Sequence, residues 1–238
     1  MGKVYACSDL HGMYKLWKQI ENYLQEDDRL IFLGDAADRG TDGLQIMVEL
    51  LANPRVTYLK GNHEDMMVIV CSEYLEGINH NVPLWLQNGG NQTLEDFLRM
   101  PERYQRFILS KLATLQKVSI YKNTQGQTIH LSHAGGRIRD IMSDNTARLD
   151  FLWDREHFYE NFESGYDKKL YVVHGHTPTQ ILNERITGVY SDNEIRFYCD
   201  GHKIDIDTGC FASKQIALLD LDTFEPIYFK LEGENEWN

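Results

Sequence analysis

Five short polar motifs follow one another along this sequence, and each contains side chains that can bind a metal ion or transfer a proton. Each motif ends or follows an apolar run that is typical of a β-strand, so their side chains can converge at the ends of neighbouring strands. One such motif alone would be weak evidence, because an isolated Asp-x-His is more often a turn or a helix cap. The motifs are Ser-Asp-Leu-His-Gly at 8–12, Gly-Asp-Ala-Ala-Asp-Arg-Gly at 34–40, Gly-Asn-His-Glu at 61–64, His-Ala-Gly at 133–135 and His-Gly-His-Thr at 174–177.

The ligand atoms in these motifs are oxygen and nitrogen, with no thiolate among them. Such a mixed set suits Mn²⁺, Fe or Zn²⁺ better than a soft metal. Two cations can share so few ligands most easily if one carboxylate bridges them, and Asp35 lies in the middle of the set. Two metals would clamp a phosphate and make hydroxide available near neutral pH. The sequence therefore predicts two divalent metal ions, Mn²⁺ before Fe or Zn²⁺, held by Asp9, His11, Asp35, Asn62, His133 and His176.

Four further residues can assist the chemistry at such a centre. The imidazole of His63, in the third motif, can act as the general acid that protonates the leaving-group oxygen. Asp38, in the second motif, can hold that imidazole in a productive orientation. Arg39 and Arg155 can each present a planar fork of donors to the oxygens of a phosphate. We therefore expect His63 and Asp38 to be catalytic and the two arginines to bind substrate, while a metal-bound hydroxide attacks phosphorus in line.

The same motifs resemble the signatures of the phosphoprotein phosphatase branch of the calcineurin-like metallophosphoesterases. The resemblance runs from about residue 4 to residue 219. It implies a metallophosphoesterase-type β-sandwich, in which two mixed sheets are flanked by helices in an α/β/β/α order. It also implies that Asp35 bridges the two metals and that His63 is the general acid. One metal would be held by Asp9 and His11, and the other by Asn62, His133 and His176.

Two other segments are similar to the small bacterial and phage-type serine/threonine protein phosphatases within that family. They are Trp-Leu-Gln-Asn-Gly-Gly at 85–90 and Trp-Asp-Arg at 153–155, whose arginine contacts phosphate in that group. The chain departs from the pattern at Ser8, where the family has glycine. It departs again at His174, where an aromatic residue or arginine is common. This leaves His174 as an alternative to His176 as metal ligand, although the family spacing favours His176.

The elements that must position these residues alternate strand and helix in the first part of the chain. Apolar runs at 4–7, 30–33 and 56–59 predict buried strands, and apolar residues at helical spacing predict helices at 13–24 and about 44–51. From 65 to about 115 the pattern changes to short helical faces, which predicts a helical insertion. Two β-layers flanked by helices, in one domain spanning 1–238, is the economical arrangement. The later predicted strands lie at 117–121, 128–131, 170–173, 203–206, 215–219 and 227–231.

Composition limits the classes of function. A chain of 238 residues with 42% hydrophobic and 25% charged residues can bury a sizeable core. The formal net charge of -12 at pH 7 argues against binding a nucleic-acid backbone. No apolar stretch approaches the roughly 18 residues of a membrane span, and the N-terminus runs directly into a predicted strand without a signal peptide. Four cysteines without CxxC pairing favour a reduced, cytoplasmic compartment.

These observations predict a dinuclear metal-dependent phosphomonoesterase, with a serine/threonine protein phosphatase as the first interpretation. A symmetrical dinucleoside tetraphosphatase, which uses the same centre, is the alternative; it would need a pocket for two nucleosides, built by the insertion. A non-catalytic interaction module on the same fold is disfavoured, because no ligand and no acid is missing. The expected partner is a phosphoprotein or a small phosphoester, and neither nucleic acid nor a membrane.

Overall fold

Two five-stranded β-sheets carry the motifs in the computed structural model, which describes residues 2–143, 150–190 and 192–231. The first sheet contains β1 (Val4–Cys7), β2 (Arg29–Phe32), β3 (Val56–Tyr58), β9 (Gln215–Asp220) and β10 (Pro226–Lys230). Its order is β10-β9-β1-β2-β3. Strands β1, β2 and β3 run parallel, whereas β9 is antiparallel to both of its neighbours.

The second sheet has the same size and is also mixed. It contains β4 (Val118–Lys122), β5 (Thr128–Ser132), β6 (Leu170–His174), β7 (Arg196–Tyr198) and β8 (Lys203–Asp205). Its order is β4-β5-β6-β8-β7, and β5, β6 and β8 are parallel. The parallel strands of each sheet therefore end at one edge, where the loops that follow them can meet.

The two sheets pack face to face. Successive side chains of a strand point to opposite sides, so each sheet turns one set of side chains towards the other sheet. Ala6 and Ile31 of the first sheet share one apolar cluster with Leu131 and Val173 of the second. The neighbouring residue Phe32 points the other way and packs among helices. Burial of both faces explains why these strands appear in the sequence as continuous apolar runs.

Helices cover the outer face of the first sheet and flank the second. The first group consists of α1 (Tyr14–Tyr23), α2 (Gly43–Ala52), α3 (Asn62–Leu75), α4 (Val82–Gln87), α5 (Asn91–Arg99) and α6 (Glu102–Ala113). The second consists of α7 (Ile138–Met142), a 3₁₀ helix (Glu156–Tyr159) and α8 (Thr179–Thr187). The short helix α9 (Cys210–Ser213) packs against β9 of the first sheet. Along the described parts of the chain, every helix is too short or too polar to cross a bilayer.

The predicted fold class is confirmed, and the predicted strands are all present with ends that differ by at most one residue. Strand β7 and the helices that flank the second sheet were not predicted. Strand β7 has only three residues, and α8 buries few apolar side chains. The helical stretch begins at Asn62, earlier than the predicted 65, because α3 starts inside the third motif. The assignment of 1–238 to a single domain stays a prediction.

Candidate active site

The five motifs converge where strands β1, β2, β3, β5 and β6 end. Hydrogen bonds join the motifs of the two sheets to each other across the sandwich. The Nδ1 of His133 lies 3.0 Å from the carbonyl oxygen of Leu33, and the backbone N–H of His176 donates to Asp9 Oδ2 at 3.1 Å. The loops of the second sheet are therefore fixed against those of the first.

The backbone of the site is unusual. Six of the predicted site residues adopt φ values between 43° and 71°, in the left-handed region. A residue with a side chain adopts this conformation at a cost of about 1 kcal/mol or more, and keeps it only where the surroundings enforce it. Such strain concentrates at functional sites. The six are Asp9, His11, Asp35, Asp38, Arg39 and His176.

The first cluster of possible metal ligands contains His11, Asp35 and His63. Their ligand atoms all lie within 4.8 Å of one another, and all three residues are buried. Asp9, which the sequence places in this cluster, borders it: its Oδ1 lies 3.7 Å from His11 Nε2. The geometry thus brings together the predicted ligands and adds the predicted acid, His63.

The second cluster contains Asp35, His133 and His176, again with ligand atoms within 4.8 Å of one another. The side-chain oxygen of Asn62 lies 2.7 Å from His133 Nε2 and 3.0 Å from His176 Nδ1. Asp35 belongs to both clusters. A carboxylate shared between two groups of oxygen and nitrogen atoms fits a pair of divalent cations, and thiolate-binding metals are a poor match for it.

The orientation of two histidines also fits metal binding. His11 Nδ1 lies 3.0 Å from the carbonyl of Ala37, just as His133 Nδ1 faces that of Leu33. A carbonyl oxygen only accepts, so the proton of each imidazole is assigned to Nδ1 and the lone pair of Nε2 faces the site. His176 faces the second cluster through Nδ1, which lies 3.0 Å from Asn62 Oδ1 and 3.2 Å from His133 Nε2. These are features that a bound cation would satisfy.

His63 differs from the other imidazoles because a carboxylate holds it. Its Nδ1 donates to Asp38 Oδ2 at 2.7 Å, and both side chains are buried. Its Nε2 faces the centre, 3.7 Å from Asp35 Oδ2. This is the arrangement of a general acid with an orienting partner.

Burial and charge give the histidines different proton affinities. Burial lowers the pKa of His11, His133 and His176, so each is neutral at pH 7 and able to bind a metal. Burial lowers the pKa of His63 as well, but the charges of Asp35 and Asp38 and the hydrogen bond to Asp38 outweigh it and raise the value. Only His63 among these four is thus tuned to carry a proton.

Each of the two predicted arginines lies near one of the clusters. Arg39 NH1 lies 2.8 Å from His11 Nε2, and its NH2 lies 3.3 Å from His63 Nε2. Arg155 is partly buried, and its Nε donates to Thr177 Oγ1 at 2.9 Å. Arg39 therefore lies beside the first cluster, and Arg155 is close enough to His133 and His176 for its charge to add to the effect of burial in lowering their pKa.

Comparison with known proteins assigns the family. A sequence profile described as calcineurin-like phosphoesterase matches residues 2–206. The chain belongs to this family. Its members hydrolyse phosphoesters with divalent metals, and the predicted membership is confirmed.

Individual relatives within the calcineurin-like phosphoesterases differ in what they act on. The asymmetrical bis(5′-nucleosyl)-tetraphosphatase PrpE of Oceanobacillus iheyensis is 23% identical over 241 residues, which cover 90% of this chain and 87% of that protein. Serine/threonine-protein phosphatase 2 of Escherichia coli is 35% identical, but over 91 residues that cover 37% of this chain and 38% of its own. The solved structure of a candidate diadenosine tetraphosphatase superposes with a TM-score of 0.60 at 16% identity, covering 98% of this chain and 95% of that one.

His174, the alternative ligand, has other partners in this phosphoesterase. Its Nε2 lies 2.6 Å from the hydroxyl of Tyr198, and its ring packs edge-on against His157. Burial lowers the pKa of His174 to about 3. The Nε2 of His157 in turn donates to the carbonyl of Ala134, behind the fourth motif. His174 therefore belongs to a buried polar network that supports the site from behind.

Glu64, the last residue of the third motif, binds the loops that carry the ligands. Its carboxylate accepts the backbone N–H groups of Asp35 (2.8 Å), Ala36 (2.9 Å) and Gly61 (2.9 Å), and the hydroxyl of Tyr58 (2.8 Å). It is fully buried. Because it holds the second and third motifs together, it acts as support for Asp35 rather than as a ligand.

Two tryptophans at the site were not predicted to have a role. Trp85 donates its indole N–H to Asp38 Oδ2 at 2.7 Å. Trp153 packs edge-on against His176, with ring centroids 5.7 Å apart, and remains 41% exposed. Both lie in segments that the sequence singled out only through resemblance, so no spacing rule could have placed them.

Proposed function

We propose that this chain is a dinuclear metal-dependent hydrolase of dinucleoside polyphosphates. The observation that carries the chemistry is the carboxylate of Asp35, which belongs to both clusters of ligand atoms. The proposed ligands of the first metal are Asp9, His11 and Asp35. Those of the second are Asp35, Asn62, His133 and His176.

His63 is left out of the ligand set although its Nε2 reaches the first cluster. Its Nδ1 is bound to Asp38, and its pKa is raised, so a proton on Nε2 is available to the departing group. Asp9 takes its place as ligand, because its Oδ1 lies within 3.7 Å of His11 Nε2. When bound, two divalent cations, Mn²⁺ in our proposal, would hold the phosphate and activate water as the nucleophile.

The remaining residues act on the substrate itself. Arg39, beside His11, and Arg155, beside Thr177, hold phosphate oxygens through their planar donor forks. His63 protonates the leaving oxygen, and Asp38 keeps the imidazole in place while it does so. All members of this set are present, which is the reason to propose an enzyme over a non-catalytic module.

The choice of a dinucleoside polyphosphate rests on the extent of the similarity. The tetraphosphatase relatives match this chain over 88–95% of its length, whereas the protein phosphatases match over 37%. The exposed indole of Trp153 beside His176 offers a face on which a nucleobase can stack. These relatives are asymmetrical tetraphosphatases, so we propose hydrolysis to a nucleoside triphosphate and a nucleoside monophosphate.

A serine/threonine protein phosphatase is the second candidate. The local identity of 35% to such an enzyme supports it, as does the acid pair of His63 and Asp38. A general acid contributes most when the leaving group is a poor one, such as the alkoxide of serine, and less when it is a phosphate.

Initial rates of the Mn²⁺-loaded protein on diadenosine tetraphosphate and on a phosphoserine peptide, measured side by side, test the proposal. We expect faster turnover of the dinucleotide, with ATP and AMP as products. ADP alone would indicate symmetrical cleavage, which contradicts the asymmetrical assignment. Faster release of phosphate from the peptide would overturn the proposed substrate class in favour of the second candidate.

A further inference from the structure

We propose that Trp85 is a positioning residue for the acid pair, and that the helical stretch α4–α5 exists in part to supply it. The inference rests on the proposed acid role of His63. It concerns a contact between two parts of the chain that lie 47 residues apart, between Asp38 and Trp85. It gives a role in the reaction to a segment that lies outside the five motifs.

The contact converges on a single oxygen atom. The indole N–H of Trp85 donates to Asp38 Oδ2 at 2.7 Å, and His63 Nδ1 donates to the same oxygen at 2.7 Å. Trp85 is fully buried, and the other oxygen, Oδ1, has no partner in the described chain. Two donors fix the direction of the carboxylate, whereas one donor would let it rotate. The indole therefore sets the position from which Asp38 holds the imidazole.

The chain around Trp85 is shaped to keep the indole in this place. A Cβ on Gly90 would lie 2.6 Å from Cε2 of the Trp85 ring, so the indole packs directly on a glycine backbone. Gly89, at φ +97°, gives its carbonyl oxygen to the backbone N–H of Arg39 at 2.9 Å. Gly90 thus makes room for the Trp85 ring, and Gly89 binds the backbone of Arg39.

Further contacts explain why the acid pair needs support. Asp38 and Arg39 both have left-handed backbone, at φ 69° and 65°, a conformation that reverts unless its surroundings enforce it. The backbone N–H of Asp38 donates to Thr93 Oγ1 of α5 at 3.1 Å, and Thr93 is buried. Trp85, Gly89 and Thr93, all in the helical stretch, therefore bind two consecutive strained residues.

The kinetic test replaces Trp85 by phenylalanine, which keeps the aromatic packing and removes the indole N–H. We expect kcat to fall roughly tenfold on an alkyl phosphate, where proton donation limits the rate, and little on p-nitrophenyl phosphate. KM and the content of bound Mn²⁺ stay unchanged, because the ligands and Arg39 are not altered. The matched control is W17F, since Trp17 is equally buried and donates its indole N–H to Glu49 at 2.8 Å, away from the site.

A loss that is equal on both substrates, or no larger than that of W17F, would overturn the proposal and leave Trp85 as core packing. If W85F does not fold, T93V is the second variant. It removes the acceptor of the Asp38 N–H with little change of shape, and we expect the same selective loss on the alkyl phosphate. A loss of kcat in T93V that is equal on both substrates would also contradict the proposal.

A second readout needs no turnover, so it separates this inference from the proposed function. In ¹⁵N NMR of the protein, D38N should shift the indole N–H resonance of Trp85 and leave that of Trp17 in place. An unmoved Trp85 resonance would contradict the contact, whatever the substrate proves to be. If the contact holds while diadenosine tetraphosphate is inert, only the proposed substrate class fails.

Discussion

Replacing Asp38 by asparagine removes a negative charge beside His63 while leaving the hydrogen bonds in place. Both donors, His63 Nδ1 and Trp85 Nε1, reach Oδ2 at 2.7 Å. Oδ1 is buried and has no hydrogen-bond partner in the described chain. An asparagine can therefore keep its oxygen at the Oδ2 position and place its amide nitrogen where no other group binds. The substitution D38N isolates the effect of the charge on the acid.

The size of that effect follows from the strength of hydrogen bonds. A bond to a charged group contributes about 1.5–3 kcal/mol and a neutral one about 0.5–1.5 kcal/mol, so D38N weakens the support of His63 by about 1–1.5 kcal/mol. If the transition state loses this stabilisation in full, kcat falls roughly five- to tenfold on substrates with poor leaving groups. Burial lowers the pKa of His63 and Asp38 opposes that effect, so D38N also lowers this pKa. The alkaline limb of kcat, where the acid loses its proton, therefore moves to lower pH.

The assay measures kcat against pH for the wild type and D38N, on an alkyl phosphate and on p-nitrophenyl phosphate. D220N is the control, because Asp220 is also buried and accepts a hydrogen bond, from Lys3 at 2.8 Å. Asp220 pairs with Tyr5 near the start of β1, away from the strand ends that carry the site. An equal loss on both substrates, or an alkaline limb that moves to higher pH, would refute the role of Asp38.

Three other predictions follow from the same structure. H11N and H176N should each lose one of two Mn²⁺ ions in elemental analysis, and retention of both ions would contradict the ligand assignment. W153A should raise KM for diadenosine tetraphosphate about tenfold, since stacking on a base contributes about 1–3 kcal/mol. KM for p-nitrophenyl phosphate should stay unchanged. Equal changes of KM for the two substrates would argue against stacking of a nucleobase on Trp153. Burial lowers the pKa of His130 to about 4. The unfolded chain binds that proton more tightly, so the free energy of unfolding falls as the pH drops below 6.5. Between pH 7 and pH 5, H130L should therefore lose about 2 kcal/mol less of its free energy of unfolding than the wild type loses. Parallel losses in urea titrations would contradict the shift.

The sequence was sufficient to predict every strand except β7, and the proposed ligands, for one physical reason. A strand buried on both faces gives an uninterrupted apolar run, and a polar residue at its end has no place in the core. Asp35 after β2 and Asn62 after β3 stand out for that reason. Their convergence then follows from parallel pairing, which brings the ends of β1, β2 and β3 to one edge.

Contacts between distant segments could not be predicted in the same way. Trp85 reaches Asp38 across 47 residues, and Arg155 reaches Thr177 across 22. These pairings depend on how helices and loops pack, and no periodicity encodes that. Nor does the sequence decide between His174 and His176. Only Gly175 separates the two histidines in the sequence. The structure shows that the ring of His176 is the one that faces Asn62.

Anomalous diffraction from crystals of the Mn²⁺-loaded protein tests the central claim most directly, because it locates each ion without reference to any substrate. We expect two manganese peaks, one on each side of the Asp35 carboxylate and about 3.5–4 Å apart. The first should contact Asp9 and His11, with His63 outside its coordination sphere. A single peak, or a peak bound by His63 in place of Asp9, would contradict the bridging role of Asp35 or the acid role of His63.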